Sequence, residues 1–224
     1  MLVNTIKKLK LENSFLQLNT IKGYLYIDKA GSILNSYINE SKPFDLQFNM
    51  SINGLIIDSP SINFDKIKIT SDSLWFNLKK EKLDFQFKNH LDLYLKEAKW
   101  ISEKLSILKY SRFGWRNHFI HEFEKDTDQQ DILKKIFPMA DVNVKLNNFC
   151  FSAKVGNINC TFIVSVLEDP ENSDLIKGLL IDIDQFYTKE IGFSAKDIQK
   201  LKDEFQDSFK PTGEILSFIN KIIS

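Results

Sequence analysis

The chain has 224 residues, 43% hydrophobic and 27% charged, which are ordinary proportions for a globular fold. Thirty basic and thirty acidic residues cancel to zero, with a pI near 6.8. That balance points away from nucleic acid, whose binders usually carry a basic footprint, although a local patch can hide inside a neutral total.

No stretch approaches the roughly 18 consecutive apolar residues of a membrane-spanning helix. The N-terminal MLVNTIKKLKLENSF lacks the apolar run of a signal peptide. The expectation is a cytoplasmic protein with no membrane partner. Folding a chain this long buries roughly 70% of its unfolded surface, enough for a core without disulfide staples. Cys150 and Cys160 sit in alternating apolar runs and read as two buried free thiols in neighbouring strands. The nineteen Phe residues recur at strand-like spacing and read as core.

Residues 1–40 contain short apolar clusters, which predict one or two strands and a short helix around Ser32–Ile38. From Phe44 the pattern sharpens: Phe44, Leu46, Phe48 and Met50 alternate with polar residues, as in a strand with one wet face. Asn53-Gly54 is a hairpin signal leading into Leu55–Ile57. Ile62 and Phe64 are out of phase with Ile67 and Ile69, which predicts a bulge. Leu74–Leu78 and Leu83–Phe87 complete a meander around the charged turn Lys79–Lys82.

A helix opens at Asn89 or His90, with Leu91, Tyr94, Leu95, Ala98, Ile101 and Leu105 on one face. Ile107–Arg116 returns to strand, and residues 124–137 turn polar and then briefly helical before Pro138. Val142–Leu146, Phe149–Ala153, Ile158–Val166 and Gly178–Tyr187 are the later strands, with Gly156-Asn157 as a turn. Ser194–Asp197 has capping-box spacing at the start of a helix that Pro211 interrupts. The fold class is therefore α+β, with antiparallel meanders each followed by a packed helix, and an internal duplication is one reading of that order. The chain reads as a single domain over 1–224, with 1–125 and 138–224 as possible subdomains.

Two segments carry candidate chemistry. On a strand, Arg112, Gly114 and Arg116 share one face, and Phe113 and Trp115 take the other. These are the chain's two arginines against 28 lysines, so guanidinium geometry rather than bare charge is selected there. Asp182 and Asp184 likewise share one strand face. Arginine and carboxylate match as two-pronged pairs that tolerate desolvation. The expectation is therefore that the four lie on one sheet face, in one interior environment, with at least one Arg–Asp contact.

Asp182 and Asp184 alone could hold a hard cation, but the sequence offers no third oxygen ligand beside them. His118 and His121 could meet on a helix face, yet two histidines fall short of a zinc site. No Gly-rich phosphate loop and no nucleophile elbow is present, so no cofactor is expected.

LKYSRFGWRNHF (108–119) resembles the R-x-G-x-R strand of a sporadically distributed family of uncharacterised bacterial proteins. GLLIDIDQFY (178–187) and IQKLKDEFQDSF (198–209) are similar to that family's apolar strand ending in D-x-D and its following helix. The resemblance covers about the last 130 residues. It departs at Asn117-His118 and at Pro211. It implies weight on Arg112, Gly114, Arg116, Asp182 and Asp184, and an accessory or defence-associated role, without naming an activity.

The candidate binding set is Arg112, Arg116, Asp182, Asp184, Trp115 and His118. The favoured function is a non-catalytic binding or assembly module with a protein partner, a second copy of itself or an anionic ligand. The alternatives are a metal-dependent hydrolase or nuclease using Asp182 and Asp184 with an arginine clamp, and purely structural ion pairs.

Overall fold

The computed structural model describes residues 10–20, 27–41, 46–51, 53–58, 63–83, 87–128, 131, 134, 148–172 and 175–223. Strand β1 (Lys10–Thr20) leads to helix α1 (Ile27–Ser41), then to β2 (Gln47–Ser51), β3 (Gly54–Asp58), β4 (Phe64–Ile69) and β5 (Ser73–Leu78). A single 3-10 turn at Lys80–Lys82 precedes α2 (Phe87–Leu105). Then come β6 (Tyr110–Asp128), β7 (Asn148–Val155), β8 (Ile158–Glu168), β9 (Leu175–Tyr187) and α3 (Ala195–Ile223).

The nine strands form one antiparallel sheet in the order β2-β3-β4-β5-β1-β6-β9-β8-β7. Read outward from the β1–β6 seam, each half is a meander whose last strand lies beside its first: β5 beside β1, and β9 beside β6. The period-2 pattern decides which residues face the helices. Leu16 and Leu18 of β1, Phe76 and Leu78 of β5, and Phe113 and Trp115 of β6 are buried. So are Ile181 and Ile183 of β9 and Cys160 and Phe162 of β8.

Against them lies the apolar stripe of α2, where Leu91, Tyr94, Leu95, Ala98, Ile101 and Leu105 are all buried. Phe205 of α3 packs at ring distances of 5.4 Å from Phe113 and 5.9 Å from Trp115. Each such side chain contributes on the order of 1.5–3 kcal/mol by leaving water. The alternate residues of the central strands point away from this core. The molecule is thus a sheet with its described helices packed on one face, and the site is on the other.

One buried polar cluster fixes the seam. The Ser14 hydroxyl accepts from Tyr94 Oη at 3.0 Å and from Trp115 Nε1 at 3.0 Å, and donates to Asn117 Oδ1 at 2.8 Å. Burial raises the Tyr94 phenol well above its ordinary pKa, so it stays a hydroxyl donor.

At the far end, Gly156 takes φ 58° in the β7–β8 turn, a left-handed conformation that glycine adopts without cost. Glu204 of α3 closes that turn by accepting from the Asn157 backbone N–H at 3.1 Å. At Ser194, the hydroxyl accepts from the Asp197 backbone N–H at 3.1 Å and starts α3 as its spacing predicts.

Several expectations are corrected. Of Leu83–Phe87, expected as the fifth strand of the meander, Leu83 follows the 3-10 turn and Phe87 already opens α2, so neither end is strand; 84–86 lie outside the described residues. His118 and His121 are on a strand, where a spacing of three puts them on opposite faces, so they do not meet. Cys150 is exposed while Cys160 is buried, because β7 turns its even-numbered residues to the open side. Helix α3 runs through Pro211, where proline removes one backbone hydrogen bond while the turns on either side persist. The bulge near Phe64 is present, between Phe64 and Lys66. Phe44, Ile62 and the Val142–Leu146 strand lie outside the described residues.

Candidate functional site

The outward side chains of five adjacent strands, β4, β5, β1, β6 and β9, line up in cross-strand rows. One row runs Lys68, Trp75, Gln17, Gly114, Phe186. The next runs Lys66, Asn77, Phe15, Arg116, Asp184. Beyond it, His118 stands opposite Asp182.

Arg112 lies over Gly114, whose missing side chain leaves the guanidinium room: an added Cβ would sit 3.5 Å from its carbon. From there Arg112 donates Nη2 to Asp184 Oδ2 at 3.1 Å and Nη1 to Gln17 Oε1 at 3.5 Å, and stacks 4.9 Å above the Phe186 ring. Arg116 grips Asp182 with two donors, Nε to Oδ1 at 2.8 Å and Nη2 to Oδ2. His118 Nε2 approaches Asp182 Oδ1 at 3.4 Å, and its ring meets Phe15 edge-on at 5.3 Å.

The two carboxylates differ in electrostatics. Burial alone would push the Asp182 carboxyl up, but hydrogen bonds from Arg116 and His118 outweigh it and hold the group well below the usual carboxylate range. At Asp184 burial prevails, reinforced by the charge of Asp182. The single contact from Arg112 and the nearby Arg116 do not offset it, so its pKa is raised. Arg116 is itself held more firmly protonated by Asp182.

The sequence-derived pairing is thus present, and doubly so: Arg112 and Arg116 share a face with Asp182 and Asp184, and each arginine contacts one aspartate. The environment is not interior, however. It lies on the face away from the helices, and the Arg116 side chain is 51% exposed while Asp182 is 13% exposed. Trp115 is not part of it. As an odd-numbered neighbour of the even-numbered arginines it projects to the helix side, where it is fully buried and bonded to Ser14.

Above this floor lies an open groove of about 340 Å³, bordered by Arg112, Arg116, His118 and Asp184, with Trp75 and Phe15 as its aromatic wall. Phe15, Gln17, Trp75 and Phe186 were not among the sequence-derived candidates. The phase of β5 contained the signal: Leu74, Phe76 and Leu78 claim the core face, which leaves Trp75 on the wet one.

As for metals, both carboxylates are engaged by guanidinium groups. Among the described residues, no group of three or more His, Cys, Asp or Glu is arranged to hold an ion. Among the same residues, no helix is long and apolar enough to cross a membrane. No protein-family model and no curated protein matches this chain.

Proposed function

We propose that the chain is a non-catalytic binding module whose open sheet face receives a ligand bearing an anionic group. The supporting observation is that the arginines of this groove keep donors in hand. Arg116 spends Nε and Nη2 on Asp182, which leaves Nη1 for a ligand on a half-exposed side chain that borders the groove. Arg112 makes one contact at 3.1 Å and one at 3.5 Å. A guanidinium pre-oriented by a carboxylate beneath it offers its remaining N–H groups at little ordering cost, which favours phosphate or carboxylate recognition.

Calorimetric titration with pyrophosphate tests this reading. Heat that appears with the parent protein and vanishes in Arg116→Ala, while the variant remains folded, is the expected result. No heat, or equal heat in both, refutes it.

A second reading, assembly with another copy, is favoured by β2. This outermost strand is exposed along its whole length, with Phe48 57% and Met50 54% exposed. Unprotected edge strands invite pairing. A Met50→Lys variant that remains monomeric where the parent dimerises in light scattering would support it.

A further inference from the structure

An antiparallel sheet with one wet face ordinarily fills that face with small or charged side chains. Here Trp75 stands on it 40% exposed. The other two tryptophans are accounted for: Trp115 lies in the core, and Trp100 donates to Glu40 at 3.0 Å while packing edge-on against Tyr37.

Trp75 has a lysine row on one side and an arginine row on the other. Lys68 is directly opposite it on β4, Lys66 lies one step diagonally away, and Arg112 and Arg116 are on β6, two strands across. At about 4.8 Å per strand, the two cationic rows are roughly 15 Å apart, with Trp75 and Phe15 between them. Lys68 makes no ion pair among the described residues, and Lys66 reaches Asp58 at 3.4 Å with both groups exposed. A second flat platform is the Arg112 guanidinium itself, already stacked on Phe186.

An aromatic platform between rows of cations, with a second flat platform on the arginine row itself, matches a particular ligand. Its rings would lie on Trp75 and on the guanidinium plane, and its linking anions would reach lysine on one side and arginine on the other. Bases stack on aromatic rings and on arginine planes irrespective of sequence, and the backbone phosphates supply the charge. We infer that the open face binds single-stranded nucleic acid, with a base stacked on Trp75 and phosphates held by Lys66, Lys68 and Arg116. This rests on the anion-binding reading above and names the ligand class for the same groove. The carboxylates in the floor limit the net attraction, so recognition depends on stacking and on few phosphates.

The test uses a labelled single-stranded RNA hexamer and its DNA counterpart, followed by anisotropy and by tryptophan emission at about 50 mM salt. The parent protein is expected to bind with quenching of its exposed tryptophan. Trp75→Ala should weaken binding by roughly tenfold or more, and Trp75→Tyr should restore most of it. Contacts to about three phosphates should cost on the order of tenfold in affinity between 50 and 200 mM salt. Lys66→Glu with Lys68→Glu should abolish most of that salt dependence. Melting curves of each variant establish that it is folded.

If a duplex or a mononucleotide binds as tightly as the hexamer, or if Trp75→Ala leaves affinity unchanged, the inference is overturned. It is also overturned if only pyrophosphate binds in an Arg116-dependent way, a result that leaves the anion site standing. If neither hexamer nor pyrophosphate binds, both readings fall together.

Discussion

Arg116 holds both carboxylate oxygens of Asp182 across the β6–β9 boundary, whereas Arg112, four residues earlier on the same face, holds a single oxygen of Asp184. The two pairs therefore have opposite consequences for stability. Asp182 sits in the folded protein with its pKa below the unfolded value of about 3.9. Its contribution is fully present above that value and is lost as pH falls towards the folded pKa. Asp182→Asn should lower stability by about 1–3 kcal/mol at pH 7, in the range of hydrogen bonds to charged groups. The deficit relative to the parent should shrink below about pH 4. Urea denaturation of both proteins across that range is the check. A deficit that does not change with pH would show that the ion pair is not its source.

Asp184 carries the opposite sign. Its folded pKa is raised, so the folded state binds the proton more tightly and stability falls as pH rises through the window above about 3.9. Ionised Asp184 therefore costs stability at neutral pH. Asp184→Asn keeps an oxygen for Arg112 and removes that cost. Its melting temperature at pH 7 should equal or exceed that of the parent, with the gap closing on acidification as the parent protonates itself. Paired melts at pH 7.5 and 4.5 decide it. A variant clearly less stable at pH 7.5 would mean that the Arg112 pair outweighs the desolvation of Asp184.

Which of these features could be read from the chain before folding depends on how local they are. Period-2 alternation placed Arg112 with Arg116 and Asp182 with Asp184, because a face is a property of one strand. The register that sets His118 against Asp182 and Arg116 against Asp184 is not local. It depends on the path between β6 and β9 and on the bulge between Glu122 and Thr127. Nor does any pattern announce that β5 returns to pair with β1, so Trp75 and Phe15, 60 residues apart, could not be joined in advance. The helix stripe of α2 was fully legible, since all six of its apolar positions are buried. The end of the first meander was not, because Leu83–Phe87 alternates like a strand while Phe87 already belongs to the helix that packs on the sheet. His118 and His121 misled for the related reason that a spacing of three means one face only if the backbone is helical.

The hydroxyl of Ser14 hydrogen-bonds at once to Tyr94 of α2 and to Trp115 and Asn117 of β6, tying the three side chains to β1. Ser14→Ala removes three buried hydrogen bonds at once, where a single one contributes about 0.5–1.5 kcal/mol. The expected loss is therefore about 2–3 kcal/mol, large for removal of one oxygen. In a double-mutant cycle, Ser14→Ala combined with Asn117→Ala should cost less than the sum of the two, because they break a shared bond. Strict additivity would dissolve the network into independent contacts.

Two glycines on the strands of the site make the sharpest contrast. At Gly178 an added Cβ would fall 2.1 Å from the His121 carbonyl oxygen, so β9 can approach β6 at the bulge only without a side chain. Backbone cannot yield as a flexible side chain can, and Gly178→Ala is expected to destabilise by more than about 3 kcal/mol or to prevent soluble folding. At Gly114 the nearest atoms are those of Arg112 at 3.5 Å, an ordinary contact, so Gly114→Ala should fold with a change within about 1 kcal/mol. What the alanine would change is the groove: its methyl group raises the floor beneath Arg112 and restricts how that guanidinium can turn towards a ligand. Melting curves and the pyrophosphate titration, run side by side on Gly114→Ala, separate the two roles. Unaltered stability with weakened binding is expected, and a loss of stability comparable to that of Gly178→Ala would show that this glycine serves the sheet rather than the site.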